Sequence, residues 1–173
     1  MDNILKNKNV LITGATGGVG REFCTQFKEN GANLFITSKT NNKIQTFANE
    51  LECEYINSDF NLGIEDLTSS VRNTIGTIDI LVNCAGLFIS NELNELTVDN
   101  FDTIFNVNVK APFALMKEFS QDMKKNKWGR IINIGSNSAY IGISENTLYT
   151  ASKHAVLGLS RSLQQELKVH GIR

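Results

Sequence analysis

The sequence predicts an α/β fold, a doubly wound parallel sheet with helices on both faces. Short apolar runs of strand length alternate with longer segments of helical spacing, in the order βαβαβαβαβα. Each helical segment is long enough to carry a right-handed crossover between parallel strands. No Pro/Gly/Ser-rich linker or charge block interrupts this alternation, so residues 1–173 are expected to form a single domain.

The apolar runs are compact, as expected for strands that are covered on both faces. They read NVLIT at 9–13, NLFIT at 33–37, CEYIN at 53–57, DILVN at 79–83 and RIINIG at 130–135. The segments between and after them predict helices at 18–30, 41–50, 63–75, 98–126 and 148–169. In such a sheet, ligands bind outside the carboxyl ends of the strands where the winding reverses. Functional residues should therefore follow the strands directly.

Composition and charge exclude several classes of function. The 173 residues are 41% hydrophobic and 20% charged, close to globular averages, which excludes a disordered or fibrous chain. The net charge of -1 provides no positive field to hold nucleic acid, and no apolar run approaches the ~20 residues of a membrane span. Three widely spaced cysteines and no signal stretch predict the cytoplasm. The two histidines lie far from any cysteine cluster, so no metal site is expected.

A glycine-rich turn follows the first predicted strand. It reads Thr13-Gly14-Ala15-Thr16-Gly17-Gly18-Val19-Gly20 and opens a helix. Glycine suits this turn because a side chain would block the turn itself, the approach of backbone to a pyrophosphate, or the packing of helix on strand. The N–H groups at the helix start then face the phosphates. The spacing fits both TGxxxGxG, with Gly14, Gly18 and Gly20, and GxxGxxG, with Gly17 in place of Gly18.

Two further motifs help to decide between these spacings. Asn83-Cys84-Ala85-Gly86 follows the fourth predicted strand, and Tyr149-Thr150-Ala151-Ser152-Lys153 opens the last helix. With the glycine turn, they make residues 8–173 resemble the short-chain dehydrogenase/reductase family, in its classical subfamily. The resemblance implies a Rossmann-type fold, a nicotinamide cofactor, and a small-molecule carbonyl or hydroxyl substrate. An epimerase-like enzyme is an alternative that rests only on the GxxGxxG spacing.

Tyr149 and Lys153 lie on one face of a helix, because they are four residues apart. An ammonium group one turn away favours the phenolate, which lets a phenol exchange protons near neutral pH. The resemblance implies that Tyr149 exchanges a proton with the substrate oxygen. It implies that Lys153 assists this exchange and also binds the nicotinamide ribose.

Two more catalytic residues come from the resemblance. Ser136 lies 13 residues before Tyr149, as in the family, and would hydrogen-bond the substrate carbonyl. Ser138 is the alternative at this position. Asn108 matches the asparagine that helps hold a water linking the lysine to bulk solvent, and Asn106 is the alternative there.

The resemblance also assigns a dinucleotide site. Asp59 matches a residue that receives a hydrogen bond from the adenine amino group, although a turn residue would read the same way. Asn83 matches a residue that bridges strands near the adenine ribose, although it could equally satisfy local backbone groups. The predicted cofactor-binding residues are Gly14, Thr16, Gly18, Val19, Gly20, Ser38, Lys39, Asp59, Phe60, Asn83, Ala85, Gly86, Tyr149 and Lys153.

The end of the second predicted strand favours NADP over NAD. An acidic residue there would bind the ribose 2′-hydroxyl and repel a 2′-phosphate. The segment instead reads Thr37-Ser38-Lys39-Thr40, which offers a hydroxyl and a cation. Many NADP-using relatives have a second cation in the glycine turn, where this chain has Thr16-Gly17, so NAD is the alternative cofactor.

We expect an oxidoreductase that transfers hydride between NAD(P)H and a ketone. The segment Gly129-Arg130-Ile131-Ile132-Asn133, before Ser136, resembles 3-oxoacyl-acyl-carrier-protein reductases. Family members continue past the position of Arg173 with two more strands and a substrate-covering segment. We therefore expect a fold truncated after the fifth strand and its helix, with that strand unpaired at the edge. A non-catalytic nucleotide-binding or partner-binding module is the alternative function, and the full-length protein would be a homodimer or homotetramer.

Overall fold

The structure, a computed structural model, describes residues 3–173. Five strands form one parallel sheet in the order β3-β2-β1-β4-β5. The strands are β1 Asn9–Thr13, β2 Asn33–Ser38, β3 Glu54–Asn57, β4 Ile80–Asn83 and β5 Arg130–Asn133. The winding reverses between β1 and β4, which places a crevice at their carboxyl ends. The predicted doubly wound α/β fold is confirmed.

Within the described residues, six α-helices connect and cover the strands. They are α1 Gly18–Glu29, α2 Asn41–Leu51, α3 Glu65–Thr74, α4 Val98–Phe105, α5 Ala111–Asn126 and α6 Thr147–Leu167. None of them is both long and apolar enough to cross a membrane.

The single helix predicted at 98–126 is instead divided by a wider, π-helical turn at Asn106–Lys110, between α4 and α5. Pro112 explains this difference. Its nitrogen carries no hydrogen, so the carbonyl of Asn108, four residues earlier, cannot receive the usual helical bond. The N–H of Ala111 bonds to the carbonyl of Asn106, five residues back, and the helix widens there. The turn therefore interrupts the regular α-helical hydrogen-bond pattern between α4 and α5.

Helices cover both faces of the sheet, because alternate residues of each strand point to opposite faces. Val10 and Ile12 of β1 join the core beneath α1 and α2, together with Phe47. Leu11 points to the other face and joins the core beneath α3, α5 and α6, together with Phe119. These side chains are all buried. This double coverage is the reason that the strands read as continuous apolar runs.

The outer edge of β5 differs from the sequence-based expectation. Residues 172–173 run parallel to the start of this strand, and Gly129 and Ile172 form a β-bridge. The N–H of Ile131 donates to the carbonyl of Arg173 at 2.9 Å, and the N–H of Arg173 donates to the carbonyl of Gly129 at 3.1 Å. The expectation of an unpaired edge is therefore wrong for the first half of β5. A cavity of about 310 Å³ lies beside this edge, between β5 and α6.

Candidate active site

Most of the predicted cofactor-binding residues line one cavity at the carboxyl ends of β1, β2 and β4. The cavity has a volume of about 410 Å³. The predicted residues on its wall are Gly14, Thr16, Gly18, Val19, Gly20, Ser38, Lys39, Asp59, Phe60, Ala85 and Gly86. Sequence reasoning did not select the other lining residues, which are Gly17, Thr37, Ser58, Cys84, Leu87 and Val107. The reversal of the winding between β1 and β4 brings all of these together.

The glycine turn and the loop after β4 are in direct contact. Gly14 has φ of +66°, and a Cβ added to it would lie 2.6 Å from the Cα of Ala85. Thr13 holds the same loop, because its Oγ1 accepts hydrogen bonds from the N–H groups of Cys84 at 3.1 Å and Ala85 at 3.0 Å. Sequence reasoning assigned no role to Thr13, although its position between β1 and Gly14 could have pointed to it. Glycine is required at position 14 because the turn needs both a positive φ and this close approach.

The cavity wall fits a phosphate-containing ligand. Helix α1 begins at Gly18, and the N–H groups of a helix's first turn have no acceptors within the helix. A Cβ on Gly18 would meet nothing within 4 Å, so the backbone is open to the cavity. The Oγ1 of Thr37 is buried and has no hydrogen-bond partner within residues 3–173, which leaves a polar atom on the wall for a ligand to satisfy. These features fit a dinucleotide with its pyrophosphate at the start of α1.

An ion pair between two lining residues lies in the part of the cavity at the end of β2. The Nζ of Lys39 lies 2.9 Å from Oδ2 of Asp59, and the hydroxyls of Thr16 and Ser38 are 2.6 Å apart. The hydrogen bond from Lys39 is the main cause that lowers the pKa of the Asp59 carboxyl, and the backbone N–H of Asn61 adds to it. Asp59 is therefore ionised at neutral pH and opposes the charge of Lys39.

Asn83 lies next to the cavity but not on its wall. It pairs with Thr13 and Asn133 in the sheet, and its Nδ2 donates to Oδ1 of Asn133 at 2.8 Å. The Nδ2 of Asn133 donates in turn to Oγ of Ser160 on α6 at 2.9 Å. The Oδ1 of Asn83 is buried and has no partner in the described part of the chain. These contacts join β4, β5 and α6, and a contact of Asn83 with a cofactor stays a prediction.

The first two turns of α6 carry Tyr149 and Lys153. Lys153 is buried, its Nζ donates to the carbonyl of Ile134 at 2.8 Å, and it lies 5.6 Å from the centroid of the Tyr149 ring. Burial lowers the pKa of the Lys153 ammonium, and the negative charge that Cys84 carries when it is deprotonated opposes that shift. Neither Tyr149 nor Lys153 lines the cavity at the carboxyl ends of β1, β2 and β4, so a contact of either with a cofactor stays a prediction. Phe88, which sequence reasoning missed, packs edge-to-face on Tyr149 with centroids 4.9 Å apart.

Ser136 lies in the loop that leaves β5, directly before a short turn at Asn137–Ala139 that packs against α6. Its Oγ accepts a hydrogen bond from the N–H of Ser138 at 3.1 Å and is half-buried. The side chain of Ser138 is only 4% exposed. A substrate can therefore reach Ser136 more easily than Ser138.

Asn108 lies in the π-helical turn and is 2% exposed. Its Nδ2 donates to the carbonyl of Leu87 at 2.9 Å and to Oγ of Ser152 at 3.0 Å. Its Oδ1 accepts from the N–H of Leu87 at 2.7 Å. Ser152 in turn donates to the carbonyl of Tyr149 at 2.7 Å. Asn108 therefore connects the loop after β4 to the start of α6.

The two histidines lie apart from this site and are exposed. The Nδ1 of His154 is 3.0 Å from the carbonyl of Thr150, one turn earlier on α6. In the portion of the chain that the structure describes, no group of three or more His, Cys, Asp and Glu residues is arranged to hold a metal ion.

Comparisons with known proteins agree with this geometry. The family model for short chain dehydrogenase matches residues 8–173. An uncharacterized oxidoreductase of Thermotoga maritima is 36% identical over an alignment of 173 positions, which covers 97% of this chain and 69% of the relative. The solved structure of a metagenomic short-chain oxidoreductase in complex with NADP has a TM-score of 0.92 at 29% identity, covering 98% of this chain and 80% of that one. A blue fluorescent protein from a metagenomic library, in complex with NADPH, has a TM-score of 0.90 at 32% identity, with coverages of 97% and 72%.

Proposed function

The chain belongs to the short chain dehydrogenase family of oxidoreductases, and on that premise we propose that it transfers hydride between NADP(H) and a ketone or secondary alcohol. The proposal depends above all on the Tyr149 and Lys153 pair at the start of α6. Lys153 is buried, and its Nζ lies 5.6 Å from the centroid of the Tyr149 ring. An ammonium group in this position can act on the phenol.

A nicotinamide cofactor in the cavity would supply the hydride for the carbonyl carbon. Tyr149 donates its hydroxyl proton to the carbonyl oxygen, and the O–H bond of the new alcohol forms as that of Tyr149 breaks. The nearby ammonium of Lys153 stabilises the phenolate that remains. Ser136 donates a hydrogen bond to the same substrate oxygen and orients it. In alcohol oxidation the phenolate of Tyr149 takes up the proton.

Asn108 supports this proton transfer in two ways. Its side chain holds Leu87 and Ser152, and so keeps the start of α6 in place beside the loop after β4. Its backbone carbonyl cannot receive a helical hydrogen bond from Pro112, and we expect this oxygen to bind a water that connects Lys153 to solvent.

NADP(H) is the proposed cofactor because of the charges at the end of β2. Lys39 is the one cation among the lining residues that the structure describes, and the strand end carries no acidic residue. A 2′-phosphate needs such a cation, whereas a 2′-hydroxyl would favour an acid in its place. A solved relative binds NADP, which agrees with this choice.

A ketone with an apolar substituent, such as a 3-oxoacyl thioester, is the proposed substrate. The Tyr149 ring is in contact with Phe88, which is 55% exposed. The loop from the Asn137–Ala139 turn to α6 exposes further large apolar side chains, which are Tyr140, Ile141 and Ile143. These surfaces suit an acyl chain better than a sugar or a charged acid.

We also propose that the protein is a homo-oligomer in the cytoplasm. The region where α4, the π-helical turn, α5 and α6 meet has a groove lined by Phe105, Val109, Phe113 and Leu159, with Phe101 exposed on α4. An exposed apolar surface of this kind is typical of an interface between subunits. The three cysteines carry free thiols, as expected in a reducing compartment.

Replacing Tyr149 by Phe tests the reaction. We expect ketone reduction, followed by NADPH absorbance, to fall by about 10²-fold or more, because a general acid contributes roughly 10²–10⁴-fold. NADPH affinity, measured by fluorescence titration, should change less than twofold. Tyr55→Phe, which removes the same hydroxyl from β3, is the matched control and should keep full activity. Turnover retained in the Tyr149→Phe variant would contradict the mechanism, and NADPH binding without turnover in the unaltered chain would favour a non-catalytic nucleotide-binding module.

A further inference from the structure

The ion pair between Lys39 and Asp59 lies where the proposed cofactors differ. Both residues line the nucleotide cavity, and their charged atoms are 2.9 Å apart. The Lys39 side chain is 71% exposed and that of Asp59 27% exposed, so the ammonium extends into the rim while the carboxylate sits deeper. Nothing in the proposed catalytic step uses Asp59.

The last residue of β3 and the loop after it hold both partners of this pair. The Nδ2 of Asn57 donates to the backbone carbonyls of Ser38 at 3.0 Å and Lys39 at 2.6 Å, which fixes the backbone of the cation. Oδ1 of Asp59 accepts hydrogen bonds from the backbone N–H and the side-chain Nδ2 of Asn61, both at 3.1 Å. Oδ2 is the oxygen that contacts Lys39. The carboxylate is therefore anchored on one oxygen and presents the other to the ammonium.

A 2′-phosphate and Asp59 compete for the same cation. The phosphate monoester carries a charge of about -1.5 to -2 near neutral pH. Lys39 is the one cation of the described cavity wall, and a carboxylate already opposes its charge. The same carboxylate also repels a dianion that approaches Lys39. A 2′-hydroxyl carries no charge, so neither the competition for Lys39 nor the repulsion by Asp59 weakens its binding.

We propose that Asp59 is a specificity-determining residue that acts through Lys39 and weakens the preference of this chain for NADP(H) over NAD(H). The inference rests on the proposed function, because it presumes that the cavity holds either dinucleotide. It assigns Asp59 a role different from a contact with the adenine ring, since an adenine contact would serve both cofactors equally.

Asp59→Asn tests the inference, because the amide keeps the size of the side chain and removes its charge. Dissociation constants for NADPH and NADH are measured by nicotinamide fluorescence. Those for adenosine 2′,5′-bisphosphate and 5′-AMP are measured by calorimetry, which needs no catalysis. We expect Asp59→Asn to bind NADPH and the bisphosphate about three- to fivefold more tightly, which is near the upper end of the effect of exposed charge pairs. The affinities for NADH and AMP should change less than twofold.

Two further variants isolate the contribution of Lys39 and of net charge. In a Lys39→Met background, Asp59→Asn should tighten NADPH binding clearly less than it does when Lys39 is present, because only the direct repulsion of the phosphate is removed and no cation is released. Asp66→Asn removes an exposed carboxylate on α3 outside the cavity wall and should leave all four affinities unchanged.

Three results would overturn the inference. The first is an equal loss of NADPH and NADH affinity in Asp59→Asn, which would indicate an adenine contact. The second is a gain of NADPH affinity that is just as large in the Lys39→Met background. The third is a gain reproduced by Asp66→Asn, which would indicate a net-charge effect. If the unaltered chain binds neither dinucleotide, the proposed function itself fails, and this result is distinct from an unchanged NADPH/NADH ratio, which contradicts the inference alone.

Discussion

Replacing Gly20 by Ala should destabilise the fold through a single backbone contact. Gly20 lies in the first turn of α1, directly above the glycine turn after β1. A Cβ at this position would overlap the carbonyl oxygen of Gly14, and would lie 2.9 Å from the Gly14 carbonyl carbon and 3.0 Å from the Cα of Ala15. All three are backbone atoms, so no side chain can rotate away to make room.

The expected magnitude is the balance of two effects. Forcing an additional methyl group into a packed site costs about 1–3 kcal/mol, and the rigid backbone here places the cost near the upper value. Alanine is favoured over glycine inside a helix by about 1 kcal/mol, which offsets part of this cost. We expect a net loss of about 2 kcal/mol in the free energy of unfolding, or a decrease of about 4–8 °C in Tm for a chain of this size.

Thermal and urea unfolding followed by circular dichroism measure this change, and Gly18→Ala is the matched control. A Cβ on Gly18 meets nothing within 4 Å, so this variant should unfold like the unaltered chain. It should nevertheless bind NADPH more weakly, since Gly18 lines the cavity at the start of α1. Equal stabilities of the Gly20→Ala variant and the unaltered chain would refute the argument from close helix-turn packing.

Two other predictions follow from buried groups. Asn108→Leu leaves three polar groups without their hydrogen bonds, and should lower the free energy of unfolding, measured in urea, by about 2–4 kcal/mol. The control Asn106→Leu should lower it clearly less. Similar losses in the two variants would contradict the conclusion that Asn108 connects the loop after β4 to α6. Burial raises the pKa of the Cys24 thiol from 9.0 to about 12, so the unfolded chain releases this proton first as the pH rises. This group should have little effect on stability below about pH 8 and lower it between pH 9 and 12, by about 1.4 kcal/mol at pH 10. The slope should be smaller in Cys24→Ala, and identical slopes would contradict this explanation.

Sequence reasoning was most successful where local pattern and topology determine position together. Strand runs such as NVLIT and the glycine turn after it depend on neighbouring residues alone. Once the strands are parallel, their carboxyl ends meet at one edge of the sheet, and residues that follow different strands become neighbours. For this reason Gly14, Lys39, Asp59 and Ala85 were assigned to one site and do line one cavity.

Other expectations failed or were incomplete because they depend on the third dimension. A continuous helix at 98–126 fits the apolar spacing, yet Pro112 removes one hydrogen bond and the chain responds with a wider turn. Phe88 carries no motif, and its contact with Tyr149 arises only when the loop after β4 meets the start of α6. The pairing of residues 172–173 with β5 likewise has no local signature.

The amino-acid sequence alone was sufficient for the doubly wound sheet, the glycine turn after β1 and the four-residue spacing of Tyr149 and Lys153, because periodicity, glycine positions and helical geometry are local properties. The folded chain decided how those groups are tuned. It buries Lys153 against the carbonyl of Ile134, and it gives the cation of Lys39 a carboxylate partner 20 residues away. The strength of a charge depends on its burial and on its neighbours in space, and neither quantity is encoded in any short stretch of sequence.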